Sequence, residues 1–434
     1  MWLDTAKKLF CAARKSVAHT CVSTQLLLSI AFGLFPYKYN SKTRRLTTAK
    51  WLKYYWVLVN IVMVLITVYL NFFKRTPSAT SFIIDKPLNK LLAYIHFLLG
   101  LVVFVVISSA NFRHRAEVLI LHNAILQLQQ QQQRWQQKWS KKSNPQISAL
   151  FENYIIAKNV MTFLQAASNV HAKLGFNPNP SFKYVCFTIL TICVKNITLF
   201  TVSNFYLTLL YIYRLLQQLN WNFKEVVSFY SLRARDVPDT VPIEDTTEIA
   251  FDLKFATPCK KTSVECTGVD VAAIAELCRQ YVRICQLIRR VCKVYEWQVL
   301  LFLIIILFGN VMSTFYFLVY LVGKMLPKEL FSPTLFLELF FINVLDLCCY
   351  MVICERSMMS AKETSFILHQ LCRLEELPDE IRNEIEMLSI FMAGETIRIR
   401  FCGLLEWNFR TGASFMIATI LYLIVLVQFD YYNL

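Results

Sequence analysis

The chain has 434 residues, of which 56% are hydrophobic, and its mean hydropathy is positive. Soluble domains rarely reach this apolar content, so lipid is the expected solvent for much of the chain. The formal net charge of +16 would suit a nucleic-acid partner, but the charges lie in loops between apolar runs, as in a membrane topology signal. We therefore expect no nucleic-acid partner.

Apolar runs predict an all-α polytopic membrane protein with seven transmembrane helices. Each run approaches the roughly 20 residues that cross a hydrocarbon layer of about 30 Å. The third run is the weakest because Lys158 and Lys173 interrupt it, and we expect these lysines to snorkel toward its ends. The seven predicted spans are Tyr54–Phe73, Leu91–Ser109, Ile155–Leu174, Tyr184–Tyr213, Trp297–Gly323, Leu335–Cys354 and a last one within 411–434.

The polar stretches divide the chain into six parts. The Gln-rich run Gln129–Gln133 is expected to be a solvated helical extension, and Asp236–Asp270 is typical of a flexible acidic insert between helical extensions of the spans. The parts are a cytosolic or re-entrant segment (1–53), spans one to four (54–213), cytosolic extensions with the insert (214–293), spans five and six (294–354), a cytosolic helical anchor (355–410), and the last span with a short extracellular tail (411–434).

The basic residues predict the orientation. Of the 45 Lys and Arg residues, 35 lie in 1–53, 111–149, 214–293 and 355–410, and only 5 lie in the connections on the other side. The positive-inside rule then places the amino terminus in the cytosol and the carboxy terminus outside the cell. This orientation is opposite to that of a G-protein-coupled receptor, which argues against that class of seven-span protein.

The last span carries a polar pattern that a simple anchor does not need. Gln428 follows Tyr422 by six residues, and Phe429 comes directly after it. An unpaired Gln in lipid costs several kcal/mol, so we expect it to face protein or water, unless it lies at the membrane interface. Tyr, five apolar residues, Gln and Phe resemble the carboxy-terminal signature of the insect gustatory receptors, with Leu421 where that signature has Thr. Gly33-Leu34-Phe35-Pro36-Tyr37 resembles the Gly-apolar-Pro-aromatic element near the start of the same family.

The resemblance implies a ligand-gated, non-selective cation channel built as a homo- or hetero-tetramer with related receptors. Its implied partners are a small-molecule tastant, permeant cations and membrane lipid, and its implied location is the plasma membrane of a sensory-neuron dendrite. Gln428 and Phe429 match the positions that constrict the pore in that family, and Tyr422 matches the Tyr of its motif. The cytosolic helices between spans four and seven would then join the subunits.

Polar and aromatic residues in the outer halves of several spans suit a pocket for a small molecule. Each of them could instead serve in interhelical hydrogen bonding. Asp346 lies deeper, and we expect a structural or gating partner for it. The candidate pocket residues are Tyr94, His96, Asn310, Thr314, Tyr316, Glu338 and Asn343.

Signatures of catalysis are missing from the sequence. It has no Gly-rich phosphate loop, nucleophile elbow or HExxH motif, and its six His are scattered. We expect that the protein is not an enzyme and that it holds no cofactor or metal. His96 within a span would, however, also suit a lipid-modifying enzyme. Cys278, Cys285 and Cys292 share a helix face and are expected to be small buried hydrophobes. The sequence also leaves open a small-solute transporter, which two similar halves would favour, and an odorant-type receptor of the same topology.

Overall fold

The computed structural model describes residues 2–72, 87–139, 144–174, 182–235, 271–321, 334–374, 377–395, 397–403 and 405–432. These residues form ten helices and two short antiparallel hairpins, so the predicted all-α class is confirmed. The predicted acidic insert Asp236–Asp270 lies outside the described residues. The helices are α1 (Trp2–Ala31), α2 (Lys50–Phe72), α3 (Pro87–Arg113), α4 (Arg115–Trp139), α5 (Pro145–Leu174), α6 (Phe182–Arg235), α7 (Val271–Leu321), α8 (Thr334–Cys372), α9 (Asp379–Gly394) and α10 (Phe409–Tyr432).

The hairpins pair β1 (Tyr37–Asn40) with β2 (Arg45–Thr48), and β3 (Arg400–Phe401) with β4 (Leu405–Glu406). The first hairpin lies between α1 and α2, and the second lies between α9 and α10. The apolar-periodicity argument did not predict either hairpin, because strands of two to four residues are too short for a period-two pattern to be distinct.

Five helices in the described part of the chain are long and apolar enough to cross a membrane. They contain the second and the fourth to seventh predicted spans. The first and third predicted spans coincide with α2 and α5, which are not among the five. The apolar segments are Tyr94–Arg113 in α3, Asn196–Ser231 in α6, Val271–Val319 in α7, Phe336–Cys372 in α8 and Phe409–Phe429 in α10.

The helices α6, α7 and α8 are much longer than a membrane is thick. α6 has 54 residues and α7 has 51, so α6 extends about 80 Å. Helices α2, α5 and α7 end, and α3, α6 and α8 begin, at what we call the loop end of the bundle. The opposite end, where α4 and α9 pack against α6, α7 and α8, we call the extension end.

An aromatic cluster in the centre of the bundle fixes the beginning of α10. The ring of Trp407 stacks with those of Phe205 and Tyr350 at centroid distances of 6.2 and 5.7 Å. The Asn408 side chain then accepts a hydrogen bond of 2.9 Å from the backbone N–H of Thr411, which caps the new helix. The first turn of α10 is therefore tied to the core through the β3–β4 hairpin.

The Gln-rich helix α4 is docked, and the prediction of a solvated extension is wrong. Gln132 is fully buried and donates a hydrogen bond of 2.9 Å to the carbonyl of Leu215 in α6. The reason lies in the spacing, because alternate steps of four and three residues place the buried side chains on one face of α4. Those side chains are Leu121, Ile125, Leu128, Gln132 and Trp135.

The Gly33–Tyr37 motif closes α1 and turns the chain into the β1–β2 hairpin. Gly33 has a φ of +68°, and an added Cβ would lie 3.3 Å from side-chain atoms of Val59. The backbone N–H groups of Leu34 and Phe35 both bond to the carbonyl of Ser29. Glycine suits this position for two reasons, the left-handed backbone and the close approach of α2.

Candidate functional site

A stripe of buried polar residues runs along one face of α5. Its members are spaced by four, three and three residues, which places them on one side of a helix. Lys158, Thr162, Gln165 and Ser168 are all at most 9% exposed. This stripe explains why α5 has a weak apolar signal although it lies among the spanning helices.

At the deepest level of the stripe, Lys158 forms an ion pair with Asp346 of α8, and both side chains are fully buried. The ammonium also lies 4.2 Å from the ring centroid of Tyr350 and 5.9 Å from that of Tyr206. The expectation that Lys158 snorkels to the end of its span is therefore wrong, because Asp346 and the two rings hold its charge inside the bundle. The partner expected for Asp346 is present.

Nearer the loop end, the stripe continues as hydrogen bonds among α5, α7 and α8. Gln165 donates to Asn343 at 2.8 Å, and Asn343 donates to Asn310 of α7 at 2.9 Å. Ser168 donates to Glu338 at 2.5 Å. Three predicted pocket residues are thus brought together, and each uses polar atoms to join helices. We call the set Lys158, Gln165, Ser168, Asn310, Glu338, Asn343 and Asp346 the polar ladder.

Three of the remaining predicted pocket residues lie among the helices that flank the ladder. His96 of α3 stacks on Phe308 of α7 at 5.7 Å between ring centroids. The ring of Tyr316 lies 5.8 Å from that of Phe336. Thr314 bonds to the carbonyl of Asn310 in its own helix at 2.8 Å.

The structure does not bring Tyr94 to the ladder, because its side chain is 59% exposed on the surface of the chain. A residue early in a span can face either the bundle or the membrane. The sequence pattern of α3, which is apolar on all sides, does not distinguish these two directions.

The three predicted pore residues all lie on the uncovered surface of α10. Tyr422 is 57% exposed, Phe429 is 60% exposed, and Gln428 is also exposed. Because they are seven residues apart, Tyr422 and Phe429 share a face to within about 20°. The covered face of α10, formed by Phe415, Thr419, Leu423 and Leu426, packs toward the rest of the chain.

A cavity of about 360 Å³ lies toward the extension end, among α1, α2, α3, α4, α6, α7 and the β1–β2 hairpin. Sequence reasoning missed it, although Leu34 to Tyr37 of the early motif form part of its wall. Arg115 and Arg214, each close to the end of a predicted span, line it as well. A basic residue next to a span indicates the topology of the chain. This signal does not distinguish an arginine in solvent from one that lines a cavity.

Cys278, Cys285 and Cys292 are buried in the main core of the bundle, as predicted. Within the described ranges, no group of three or more His, Cys, Asp or Glu could hold a metal ion. The helix-face argument is therefore sufficient to explain these three thiols as packing groups.

The helical architecture matches solved structures over nearly the whole chain. The olfactory receptor OR5 of the insect Machilis hrabei superimposes with a TM-score of 0.56 at 12% identity, and covers 94% of this chain and 98% of its own. Its complex with eugenol gives a TM-score of 0.64 at 10% identity with the same coverage. The fold is thus that of an all-α membrane protein with seven transmembrane helices.

Sequence comparison then identifies the family. The model of the 7tm chemosensory receptors matches residues 23–433, and the chain belongs to this family. It is 24% identical over 409 residues to the Drosophila melanogaster gustatory receptor for bitter taste 22e, covering 93% of both chains. The predicted resemblance to insect gustatory receptors is confirmed, and the family consists of receptors rather than enzymes.

Proposed function

We propose that this protein is a gustatory receptor that acts as a ligand-gated, non-selective cation channel in the plasma membrane of a sensory neuron. The observation that carries the proposal is the uncovered surface of α10. Only 6% of its most apolar segment is buried, and Tyr422, Gln428 and Phe429 all lie on the exposed part. A helix with this surface needs lipid on one side and accommodates other copies of the chain on another.

Four copies of α10 around an axis would form the pore. A ring of Phe429 side chains blocks hydrated ions by dewetting, and a ring of Gln428 amides offers ions polar oxygens. Both residues lie near the carboxy-terminal end of α10, so the constriction would be close to the loop end of the bundle. The number of subunits is the one implied by the resemblance to the insect gustatory receptors.

Apolar side chains on the extension-end helices support the assembly of several copies. Met359 and Phe366 of α8 are 55% and 63% exposed, and Met387 and Ile390 of α9 are each 69% exposed. Met359 and Phe366 lie beyond the sixth predicted span, Leu335–Cys354, and α9 lies in the predicted cytosolic anchor. Exposed apolar clusters outside the membrane mark protein interfaces. We propose that this surface joins the subunits, either as a homo-tetramer or with related receptors.

The distribution of Lys and Arg supports a cytosolic extension end and an extracellular loop end. An epitope tag after Leu434 should then be stained on intact cells, and a tag before Met1 should be stained only after permeabilisation. Staining of the amino-terminal tag on intact cells would contradict this orientation, and it would do so independently of any channel measurement.

The ligand would bind in the outer half of the bundle, beside the loop-end part of the polar ladder. Glu338 is an exposed residue of α8, and His96 and Tyr316 lie on the neighbouring helices α3 and α7. The related receptor 22e is named for bitter taste, and OR5 has been solved with eugenol. We propose a small organic tastant as the ligand class.

Current recording from cells that express the receptor, with a panel of bitter and other tastants, tests the proposed function. We expect a ligand-dependent cation current. Glu338→Ala and His96→Ala should lower agonist potency at unchanged surface expression, whereas Glu386→Ala, which removes an exposed carboxylate of α9, should not. Saturable uptake of ligand without a current would indicate a transporter and contradict the channel.

A further inference from the structure

The cavity toward the extension end has a polarity that selects for negative charge. Two arginines, Arg115 and Arg214, are among its lining residues, and no Asp or Glu of the described chain lines it. Its volume of about 360 Å³ is in the range of sites that hold small molecules. An anion of moderate size therefore suits this cavity better than a cation or a neutral solute.

Neither arginine has a carboxylate partner among the residues that the structure describes. The Arg115 guanidinium lies over the rings of Phe112 and Trp56, at 5.0 and 5.9 Å from their centroids. The Arg214 guanidinium lies 4.5 Å from the centroid of Phe151, and its buried Nε has no hydrogen-bond partner in the described part of the chain. A positive charge that is partly buried and not paired is costly, and a bound anion would remove that cost.

The carboxylate whose charge acts on Arg214, that of Glu152, is already engaged. Glu152 accepts a hydrogen bond of 2.8 Å from Arg14 of α1, and the two form an ion pair. It does not line the cavity. Its charge is therefore shared with Arg14, and the two cavity arginines remain available for a ligand.

Two acceptor atoms at the cavity indicate that the ligand also donates hydrogen bonds. The amide nitrogen of Gln25 donates to Ser203 and Asn204, which fixes the orientation of the amide. Its Oε1 is buried and has no hydrogen-bond partner among the residues that the structure describes. The His122 Nδ1 lies 2.8 Å from the Val118 carbonyl, which can only accept, so Nδ1 carries the proton. Burial lowers the pKa of His122, and in the neutral ring Nε2 is then an acceptor. Hydroxyl groups on the ligand would satisfy both atoms.

The remaining walls of the cavity are largely apolar, and one of them includes a partly exposed leucine of α1. Leu26 lines the cavity and is 41% exposed, and the adjacent Leu27 is 66% exposed. Leu34, Phe35 and Trp56 form further parts of the wall. An acyl chain attached to the anion would find an apolar path out of the cavity beside α1.

We propose that this cavity binds the phosphorylated polyol headgroup of an anionic phospholipid, with a phosphoinositide as the best match. Its phosphates would pair with Arg115 and Arg214, and its hydroxyls would donate to Gln25 and His122. Arginine recognises phosphate through charge-assisted hydrogen bonds. The assignment to the cytosolic leaflet rests on the proposed orientation, and the binding site itself does not.

Binding of dioctanoyl phosphatidylinositol bisphosphate to the purified full-length receptor in detergent micelles tests the proposal. We expect Arg115→Gln and Arg214→Gln each to weaken binding about tenfold or more, with smaller losses for Arg115→Lys and Arg214→Lys, which retain the charge. Arg134→Gln, on the exposed side of α4, is the matched control and should bind like the parent. Thermal unfolding of each variant separates loss of binding from loss of folding.

Other probes identify the source of the phosphate. Weaker binding of inositol trisphosphate and of inorganic phosphate than of the lipid supports a lipid ligand, and equal affinity for inositol trisphosphate would overturn the lipid assignment. Equal binding of dioctanoyl phosphatidylcholine, or an equal loss in Arg134→Gln, would overturn the site. The measurement needs neither an agonist nor a current, so its failure is distinguishable from failure of the proposed channel.

Discussion

Helices α6 and α10 are both candidate membrane spans, yet they differ in how much of their surface the rest of the protein covers. The apolar segment of α6 is 78% buried inside the protein, whereas that of α10 is 6% buried. The more apolar helix of the two is the one on the surface. In a membrane protein the apolar surroundings lie outside, so apolar content alone does not identify the core. Polar residues with partners identify it better, as in α6 and in the polar ladder of α5, α7 and α8.

The largest loss of stability is expected from a substitution in the buried helix α6. Phe205 of α6 is fully buried, and its ring contacts those of Tyr295, Tyr350 and Trp407. Phe205→Ala should lower the free energy of unfolding by about 4 kcal/mol, because it leaves a cavity in the central aromatic cluster. Thermal unfolding of purified protein measures this loss. Ile420→Ala on α10, where the side chain is 54% exposed, is the control, and equal losses for both would contradict the comparison.

A slightly smaller loss is expected at the ion pair that faces α6. Asp346→Asn removes the partner of the fully buried Lys158 and should cost about 3 kcal/mol, because it leaves a charge uncompensated inside the bundle. The double variant Lys158→Met with Asp346→Leu removes both charges and should recover most of the lost stability. A double variant that is as unstable as Asp346→Asn would show that the ion pair itself, and not the absence of unpaired charge, holds α5 to α8.

Substitutions on the exposed surface of α10 should change the current through the receptor with little change in its free energy of unfolding. Phe429→Ala should raise the ligand-independent current, because a smaller side chain removes the proposed phenyl barrier. Gln428→Glu should change the relative permeability of cations. Currents normalised to surface protein provide the measurement. If Phe429 and Gln428 serve only as membrane anchors, both variants will show reduced surface expression and unchanged basal current and selectivity.

The smallest effect is expected at the position where this chain departs from the family signature. Leu421 is 58% exposed on α10, so Leu421→Thr should change the free energy of unfolding by less than about 0.5 kcal/mol. Thermal unfolding beside the parent protein measures it. A loss of about 2 kcal/mol or more would mean that this face of α10 is packed against protein in the purified receptor.

The sequence predicted most of the helices because long apolar runs have few ways to fold in lipid. The prediction from the sequence was wrong where a polar residue had two physically reasonable environments. Lys158 could extend to the end of its span or pair with an acid inside the bundle. The pairing partner, Asp346, is 188 positions away in the sequence, so no local pattern distinguishes the two. Gln132 was hidden in a run of identical residues, although the spacing of Leu128 and Trp135 contained the information.

The candidate site was less predictable than the fold. The motif positions Tyr422, Gln428 and Phe429 were identified by resemblance, and their exposure on α10 adds the geometry. Asn310 and Asn343 were identified as intramembrane polar residues, but their mutual hydrogen bond depends on how α7 and α8 pack. The arginine-lined cavity depends on six helices and one hairpin at once, which no local pattern contains.

The attachment of α10 at Trp407 and Asn408 has a mechanical consequence. One end of the helix is clamped in the aromatic cluster, and 22 residues separate Trp407 from Phe429, which corresponds to about 33 Å. A tilt of about 5° at the clamp would displace the far end by about 3 Å, by the geometry of a rigid rod of that length. A tilt of α10 about this attachment would therefore move Phe429 much further than it moves Thr411. A small rearrangement beside Phe205 and Tyr350 that tilted α10 would thus produce a step at Phe429 comparable to the radius of a hydrated ion.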